Sequence, residues 1–345
     1  MRLAARASFD ITRLVLLLCC SLALRPSAAA SVESLRVGLT REVSAAPFLV
    51  AVDGGYFAAA GLDVHTTFLK SDEAVVAAVT SGKVDVGLAG LSSTFYGDAA
   101  AHHLKIIASR SNDQTMFPMY ALLVSAKAHA GGLTGVRGLP DSRIGISTAD
   151  SGAYYGLLSI AARFKLDANS IKTIPLQSTT RELGALARGE IDAALLPFPT
   201  ALQSAQGGRP LLRLSDFAQW QQGVVFTSAE TILAHRSLIE RFIRAYQQGT
   251  SEYHLNFLSY DDGGDFIPGP NYGRYLSAIA RGVQIPPDFV AKTKTYCDAH
   301  ASLDVADIEK QVKFWQDHGR LDQSVAAAAL LDLSFLSEAA GAPHP

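Results

Sequence analysis

"RVGLT", at Arg36 to Thr40, returns 107 residues later as "RIGIS", at Arg143 to Ser147. The same offset, without a gap, aligns "SGKVDVGLAG" (81–90) with "RGEIDAALLP" (188–197). In both copies a short apolar run, a longer helix-like segment and another run follow one another in the same order. Each copy therefore predicts a βαβαβ unit. Two such units predict an α/β protein of two lobes, each a mainly parallel sheet flanked by helices.

Two strand-like segments are placed where the chain would pass between the lobes. "MYALLVSA" (119–126) leads into the second copy, and "GVVFTSAE" (223–230) leads out of it. They predict a discontinuous lobe I of residues 31–122 and 225–345, closed by C-terminal helices, and a lobe II of residues 123–224. A two-strand connection of this kind is expected to act as a hinge.

The first 30 residues have the pattern of a secretory signal. Arg2, Arg6 and Arg13 precede the apolar stretch "LVLLLCCSLAL", and small residues lead to a predicted cleavage after Ala30. The apolar stretch is too short for a membrane anchor. A lipid anchor on Cys19 or Cys20 is the alternative.

Composition excludes several classes of partner and cofactor. Beyond the signal only Cys297 remains, which excludes an intramolecular disulfide and a zinc–cysteine cluster. The chain has a formal net charge of -2 and no basic tail, so nucleic acid is not expected as a partner. We expect a monomer that uses neither a cofactor nor a metal.

Ligands of parallel α/β lobes bind at the carboxyl ends of the strands, near the N-termini of helices. The segment after the first strand is thus a candidate site in each copy, with Ser44 and Ser151 at equivalent places. Free N–H groups there would favour an anionic or polar group. The alternative is that both serines only cap helices. The candidate residues are Arg41, Ser44, Pro47 and Phe48 in the first copy, and Ser151, Gly152, Ala153 and Tyr154 in the second.

The ends of later strands supply further candidates. Backbone and hydroxyl groups would come from Leu91, Ser92 and Ser93, and an apolar wall from Pro197 and Phe198. A simple turn and helix cap is the competing interpretation. Arg41 and Arg110 each follow a strand and could pair with a carboxylate, sulfonate or phosphate, although solvation at the surface is the alternative for both.

Catalytic motifs are absent from the sequence. It has no Gly-x-Ser-x-Gly elbow, phosphate-loop lysine motif or Gly-x-Gly-x-x-Gly fingerprint. The adjacent His102 and His103 would point apart, and the Asp261–Asp265 segment departs from calcium-loop spacing, which predicts a loop. Asp85 and Asp192, which the repeat places at equivalent positions, are predicted to be structural.

Four segments resemble those of one family. "PFLVAVDGGYFAAAGLDV" (47–64), the pair "AAVTSGKVDVGLAG" and "GALARGEIDAALLPFP", and "FWQDHGRLDQ" (314–323) are similar to segments of the periplasmic solute-binding proteins of ABC importers. The resemblance is to the branch for nitrate, sulfonates, taurine and thiamine-type pyrimidine precursors. It implies the type II periplasmic-binding fold, a ligand cleft between two lobes, closure about a hinge, and an inner-membrane permease as partner.

The resemblance and the missing catalytic motifs together favour a binding protein over an enzyme. The expected ligand is a small organic or anionic solute, such as a sulfonate, a pyrimidine or an aromatic carboxylate. Tyr154, Tyr155 and Phe198 lean towards a planar one. An enzyme on the same fold that acts on a small acid, or a ligand-binding sensor, remains the alternative function.

Overall fold

Two five-stranded sheets organise the chain in the computed structural model, which describes residues 32–205 and 211–336. The first sheet has the order β2-β1-β3-β10-β4, and the second has the order β7-β6-β8-β5-β9. In each sheet one strand, β10 or β5, runs antiparallel to its neighbours while the neighbouring pairs of the repeat are parallel. The predicted α/β class with two mainly parallel sheets is confirmed.

The strands of the first sheet are β1 (Glu33–Thr40), β2 (Leu62–Leu69), β3 (Val86–Gly90), β4 (Leu104–Asp113) and β10 (Trp220–Ser228). Those of the second are β5 (Tyr120–Val124), β6 (Arg143–Ile146), β7 (Lys172–Pro175), β8 (Ala193–Pro197) and β9 (Leu211–Arg213). The two segments predicted to cross between the lobes each form a strand of a single sheet: β5 belongs to the second sheet and β10 to the first. The chain passes between the sheets at 114–119 and at 217–219, and the Gln219 side chain donates a hydrogen bond of 3.0 Å to the Thr115 hydroxyl between these two passages.

The helices of the first half are α1 (Ala46–Asp53), α2 (Tyr56–Ala59), α3 (Asp72–Thr80), α4 (Ser93–Ala101), α5 (Ala126–Ala130), α6 (Gly152–Arg163), α7 (Thr179–Arg188) and α8 (Phe198–Ser204). The C-terminal part contributes α9 (Ala229–Phe257), α10 (Tyr272–Val283), α11 (Pro287–Lys292) and α12 (Val305–Asp317). Among the described residues, none of these helices is both long and apolar enough to cross a membrane.

The helical segment that follows β1 is divided into three elements. A 3-10 turn at Val43–Ala45 precedes α1, and α2 starts separately at Tyr56. Gly55 has a φ of 76°, a left-handed conformation that glycine adopts without a Cβ penalty, so the helix ends there. The predicted loop around Asp261 is confirmed: its carboxylate accepts from the N–H groups of Gly263 and Asp265.

The repeat is visible as repeated contacts. Asp85 accepts from the backbone N–H of Arg36 at 2.8 Å and pairs with its guanidinium, and Asp192 does the same for Arg143 at 2.9 Å. Each aspartate, placed just before the third strand of its copy, therefore binds an arginine of the first strand. The structural role predicted for both aspartates is confirmed.

Three apolar clusters fill the molecule. One lies between the first sheet and helices α1, α9 and α10, where Phe242 stacks on Phe57 with ring centroids 5.1 Å apart. A second contains residues of both sheets and of α12, including Leu91, Ala153 and Trp315. The third covers the other face of the second sheet. The second cluster holds the two lobes together beside the carboxyl ends of their strands.

Candidate ligand-binding cleft

The predicted loops of the two copies meet in the structure. Ser92 and Ser151 form an antiparallel backbone bridge, and the Ser93 N–H donates to the Asp150 carbonyl at 3.2 Å. The Ser93 hydroxyl also donates to the Asp150 carboxylate at 3.2 Å. The segments that follow strands of the two sheets therefore lie against each other, and the space between them is the candidate cleft.

The serine hydroxyls in this bridge act as helix caps. Ser92 accepts from the Phe95 N–H at 3.0 Å at the start of α4, and Ser151 accepts from the Tyr154 N–H at 3.3 Å at the start of α6. The cap interpretation is right for both hydroxyls. For Ser44 it is wrong, because the 3-10 turn places this residue inside the turn, where its hydroxyl donates to the Glu42 carboxylate at 3.3 Å.

Arg110 is the central charged residue of the cleft, and solvation at the surface, the alternative for this arginine, is wrong. Its side chain is 2% exposed. The guanidinium lies 3.5 Å from a carboxylate oxygen of Glu42 and 3.9 Å from one of Asp72. A buried cation needs such partners, because removing an unpaired charge from water is very unfavourable.

Asp72 lies at the N-terminus of α3, directly after the end of β2. One carboxylate oxygen accepts from the Gly90 N–H at 2.7 Å, where β3 ends. The other is covered by protein and has no hydrogen-bond partner in the described part of the chain, although 30% of the side chain is exposed. Desolvation, followed by the charge of Glu42, raises the pKa of Asp72 to about 6, and Arg110 opposes that rise. The carboxylate is thus ionised at neutral pH at some energetic cost.

Gln222 closes the cleft from β10. Its backbone carbonyl accepts from the Leu91 N–H at 2.8 Å, its side chain donates to the Tyr120 hydroxyl at 2.9 Å, and Trp220 donates to it at 3.0 Å. A Cβ on Gly152 would lie 2.7 Å from the Gln222 amide oxygen. Gly152 therefore lets the start of α6 approach β10 and Leu91 closely.

Other predicted residues are engaged elsewhere. Arg41 is exposed, lies 3.9 Å over the Phe68 ring and donates to the Gly282 carbonyl, while Pro47 and Phe48 are buried in α1 against the first apolar cluster. Leu91 and Ala153 are buried between the lobes.

The aromatic candidates, and the residues at the end of β8, do not line the cleft but contact other parts of the protein. Tyr154 stacks on Trp315 of α12 with centroids 6.3 Å apart, and the Tyr155 hydroxyl donates to Asp307 at 2.9 Å. Pro197 is exposed at the end of β8, and Phe198 packs on the second lobe's own cluster. The contacts of these side chains give no support to a planar ligand.

Four residues of the cleft were not expected from the sequence: Glu42, Asp72, Tyr120 and Gln222. A signal existed for Asp72, since it follows Ser71, which the repeat aligns with Ser178. Both serines cap their helices at 3.3 Å, so the residue after Ser71 begins a helix at the carboxyl end of a strand.

The chain belongs to the NMT1/THI5 like family, whose model matches residues 42–256. Comparison of the sequence with curated proteins gives no match. The resemblance to this group of proteins, inferred from the sequence, is therefore confirmed at the level of the family.

Solved structures agree on the fold. The alkanesulfonate-binding protein SsuA from Xanthomonas axonopodis pv. citri, bound to MOPS, is 18% identical, with a TM-score of 0.62 over 88% of this chain and 100% of that one. The nitrate-binding protein NrtA from Synechocystis PCC 6803 is 12% identical, with a TM-score of 0.60 over 90% and 88%. The desulfurization enzyme DSZB is 15% identical, with a TM-score of 0.59 over 89% and 99%. The periplasmic-binding fold thus carries both binding proteins and an enzyme.

Proposed function

We propose that this chain is the periplasmic substrate-binding component of an ABC importer, which captures a small solute between its lobes. The observation that carries the proposal is the buried Arg110 guanidinium, whose carboxylate partners Glu42 and Asp72 lie 3.5 Å and 3.9 Å away and are themselves partly exposed. A fold seldom keeps incompletely paired charges inside unless they serve a ligand. The similar structures of a sulfonate-binding and a nitrate-binding protein support it.

The binding step follows from the two-lobed geometry. The passages at 114–119 and 217–219 would act as the hinge, with lobe I contributing Asp72 and Arg110 and lobe II contributing the start of α6. A ligand that contacts both sides stabilises the closed arrangement by its differential affinity for it. A membrane permease would then recognise the closed form. Export through the segment 1–30, which lies outside the described residues, is part of this proposal.

An enzyme on the same fold is the second candidate, because one similar structure is a desulfurization enzyme. Cys297 gives it little support. The thiol is fully buried, and burial raises its pKa well above the ordinary range, so the reactive thiolate is disfavoured. Following a bound compound by NMR separates the candidates: a binding protein returns it unchanged, and an enzyme converts it.

A thermal-shift screen tests the proposed function. The panel includes sulfonates, nitrate, aromatic carboxylates, pyrimidines and organic cations, each added to the purified protein. A ligand at 100-fold its dissociation constant stabilises the folded state by about 2.7 kcal/mol, which is readily detected. We expect at least one class to raise the melting temperature, and no response to any class would contradict a capture function.

Gly152→Leu tests whether the cleft is the site. The new side chain would press on Gln222 and Leu91, so we expect the lobes to fold but fail to close, with at least a tenfold loss of affinity for the solute found in the screen, a factor worth about 1.4 kcal/mol. Gly273→Ala is the matched control, because a Cβ there meets no atom within 4 Å. Equal affinities in the two variants would place the site elsewhere.

A further inference from the structure

The charges at the floor of the cleft are unbalanced. Arg110 supplies one buried positive charge, and the carboxylates of Glu42 and Asp72 lie 3.5 Å and 3.9 Å from it. Both separations exceed the roughly 2.7–2.9 Å of a close charge-assisted hydrogen bond. The guanidinium therefore leaves both carboxylates able to accept from another donor, and 53% of the Glu42 side chain is exposed.

The same charges act on the hydroxyl of Tyr120, which lies in β5 of the second sheet. Burial is the main cause that raises the pKa of its phenol, and Glu42, Asp72 and Asp113 raise it further while Arg110 lowers it. Burial raises the pKa of Asp113 to about 8, so that carboxyl group is mostly protonated at neutral pH and only Glu42 and Asp72 oppose the one guanidinium. Two negative charges against one positive charge leave this region with an excess of negative charge.

Nearby cations do not restore the balance. The Arg41 guanidinium lies over the Phe68 ring, and Lys70, just after β2, is exposed. Arg110 is the cation that lowers the pKa of Asp72 and of Tyr120. Arg320 pairs with Asp150 at 2.8 Å on the rim of the cleft, so that pair is neutral.

Buried polar atoms without partners accompany this charge. The Thr40 hydroxyl, at the end of β1, is 6% exposed, and the Ser111 hydroxyl, next to Arg110 on β4, is 0% exposed. Neither has a hydrogen-bond partner among the described residues, and the Nε–H of Arg110 has none either. Buried polar atoms are normally paired, so these three groups leave hydrogen-bonding capacity unused in and beside the group of charges.

Resting on the proposed function, we propose that the cleft selects an organic cation or a base rich in N–H donors, such as an amidinium, a guanidinium or a protonated amine. Asp72 and Glu42 accept its hydrogen bonds, and Asp72 determines the preference. Sulfonate or nitrate would bring a further negative charge to two carboxylates, which is repulsive.

Two pairs of probes matched in shape test the preference by isothermal titration calorimetry. Benzamidine is compared with benzenesulfonate, and methylguanidinium with methanesulfonate. We expect each cation to bind at least about tenfold more tightly than its anion, because the interaction with a fixed carboxylate reverses sign. Asp72→Asn is expected to lower benzamidine affinity about tenfold and to reduce its advantage over benzenesulfonate.

Two further variants keep the test decisive. Glu42→Gln changes a half-exposed side chain and is expected to reduce the same ratio even if Asp72→Asn folds poorly. Glu73→Gln, an exposed neighbour of Asp72 on α3, is the matched control and should leave the ratio within about twofold, as expected for an exposed charge.

The outcomes separate this inference from the proposed function. Tighter binding of the sulfonates, or a ratio unchanged by Asp72→Asn and Glu42→Gln, overturns the cation preference and leaves solute capture intact. No binding of either probe class overturns the cation preference. If the broad screen is also negative, solute capture fails with it.

Discussion

Glu182 is an ionisable side chain at an apolar position of the repeat. It lies in the first turn of α7, is 1% exposed, and one of its carboxylate oxygens has no partner among the described residues. The first copy has Val75, fully buried, at the equivalent place. Burial raises the pKa of Glu182 to about 7. The folded protein therefore retains a proton that the unfolded chain releases at a lower pH.

This raised pKa predicts how stability depends on pH. As pH rises from about 4.5 to 7, the unfolded state loses the proton first, so Glu182 lowers the free energy of unfolding over that interval. We expect Glu182→Val to increase stability by about 3 kcal/mol more at pH 8 than at pH 4.5, from roughly 1.4 kcal/mol per pKa unit. Urea denaturation at both pH values measures it. Glu182→Gln, which cannot ionise, is the control, and equal gains at both pH values would contradict the expectation.

The role of a residue could be predicted from the sequence where the repeat has an identical residue at the equivalent position, as it does for Asp85 and Asp192. The burial of Arg110 could not be predicted in this way. The segment "SRSND" (109–113) is polar and suggests the end of a strand, yet β4 continues through it to Asp113. The polar side chains of this segment find partners in β10: the Gln221 amide donates to the Ser109 hydroxyl and accepts from the Asn112 amide. Burial of these groups depends on a partner more than 100 residues away, which no local pattern reveals.

At the scale of elements, both copies of the repeat have a glycine that packs tightly against aliphatic side chains. Gly38 in β1 and Gly145 in β6 are equivalent, and each faces an aliphatic pair: Val84 and Leu69 in the first copy, Ile191 and Leu176 in the second. The fits differ, however. A Cβ on Gly145 would lie 2.5 Å from Ile191, while one on Gly38 would lie 3.1 Å from Val84.

These distances predict unequal costs for the same substitution. Gly145→Ala should destabilise the protein by about 1–3 kcal/mol, the usual range for overpacking. Gly38→Ala should cost less than about 1 kcal/mol, because a smaller movement of Val84 relieves the contact and alanine lowers the entropy of the unfolded chain. Urea denaturation of the two variants checks the order. A larger loss of stability for Gly38→Ala than for Gly145→Ala would contradict this order, and would mean that the neighbours of Gly38 move less readily than those of Gly145.

The candidate site could be predicted from the sequence at the level of elements but not of side chains. Parallel strands place their carboxyl ends together, so the segments at Ser92 and Ser151 were expected to meet, and they do. The acceptors at Glu42 and Asp72 depend on the turn geometry before α1 and α3. The aromatic residues of α6 were expected in the cleft, but α12 packs against them.

At the scale of the whole molecule, α12 connects three parts of the fold. Tyr96 of α4 donates to Gln311 at 3.1 Å, and Tyr155 of α6 donates to Asp307 at 2.9 Å. Asp307 also accepts from the Gln221 N–H at 2.9 Å, where β10 begins. Burial raises the pKa of Asp307, and its three donors oppose that rise. The helix thus holds lobe I, lobe II and the second passage in one arrangement.

Cutting one of these links should change the balance between open and closed forms. Tyr155→Phe removes the bond to lobe II, which is worth about 1.5–3 kcal/mol for a charged acceptor. We expect a larger radius of gyration for the ligand-free protein in small-angle scattering and about tenfold weaker solute binding. Tyr96→Phe cuts a link within lobe I and serves as the control, with a lower melting temperature and unchanged dimensions. Identical scattering for the two variants would mean that α12 does not restrain the lobes.

The position of β10 has a consequence for the order of folding. Strands β5 to β9 are continuous in the chain, so the second sheet is complete once residue 213 is present. In the first sheet, β3 and β4 have no pairing with each other and are joined only through β10. That strand comes about 107 residues after β4 ends, and long loops are slow to close. A nascent chain therefore carries β4 without its partner until the whole second lobe has been made.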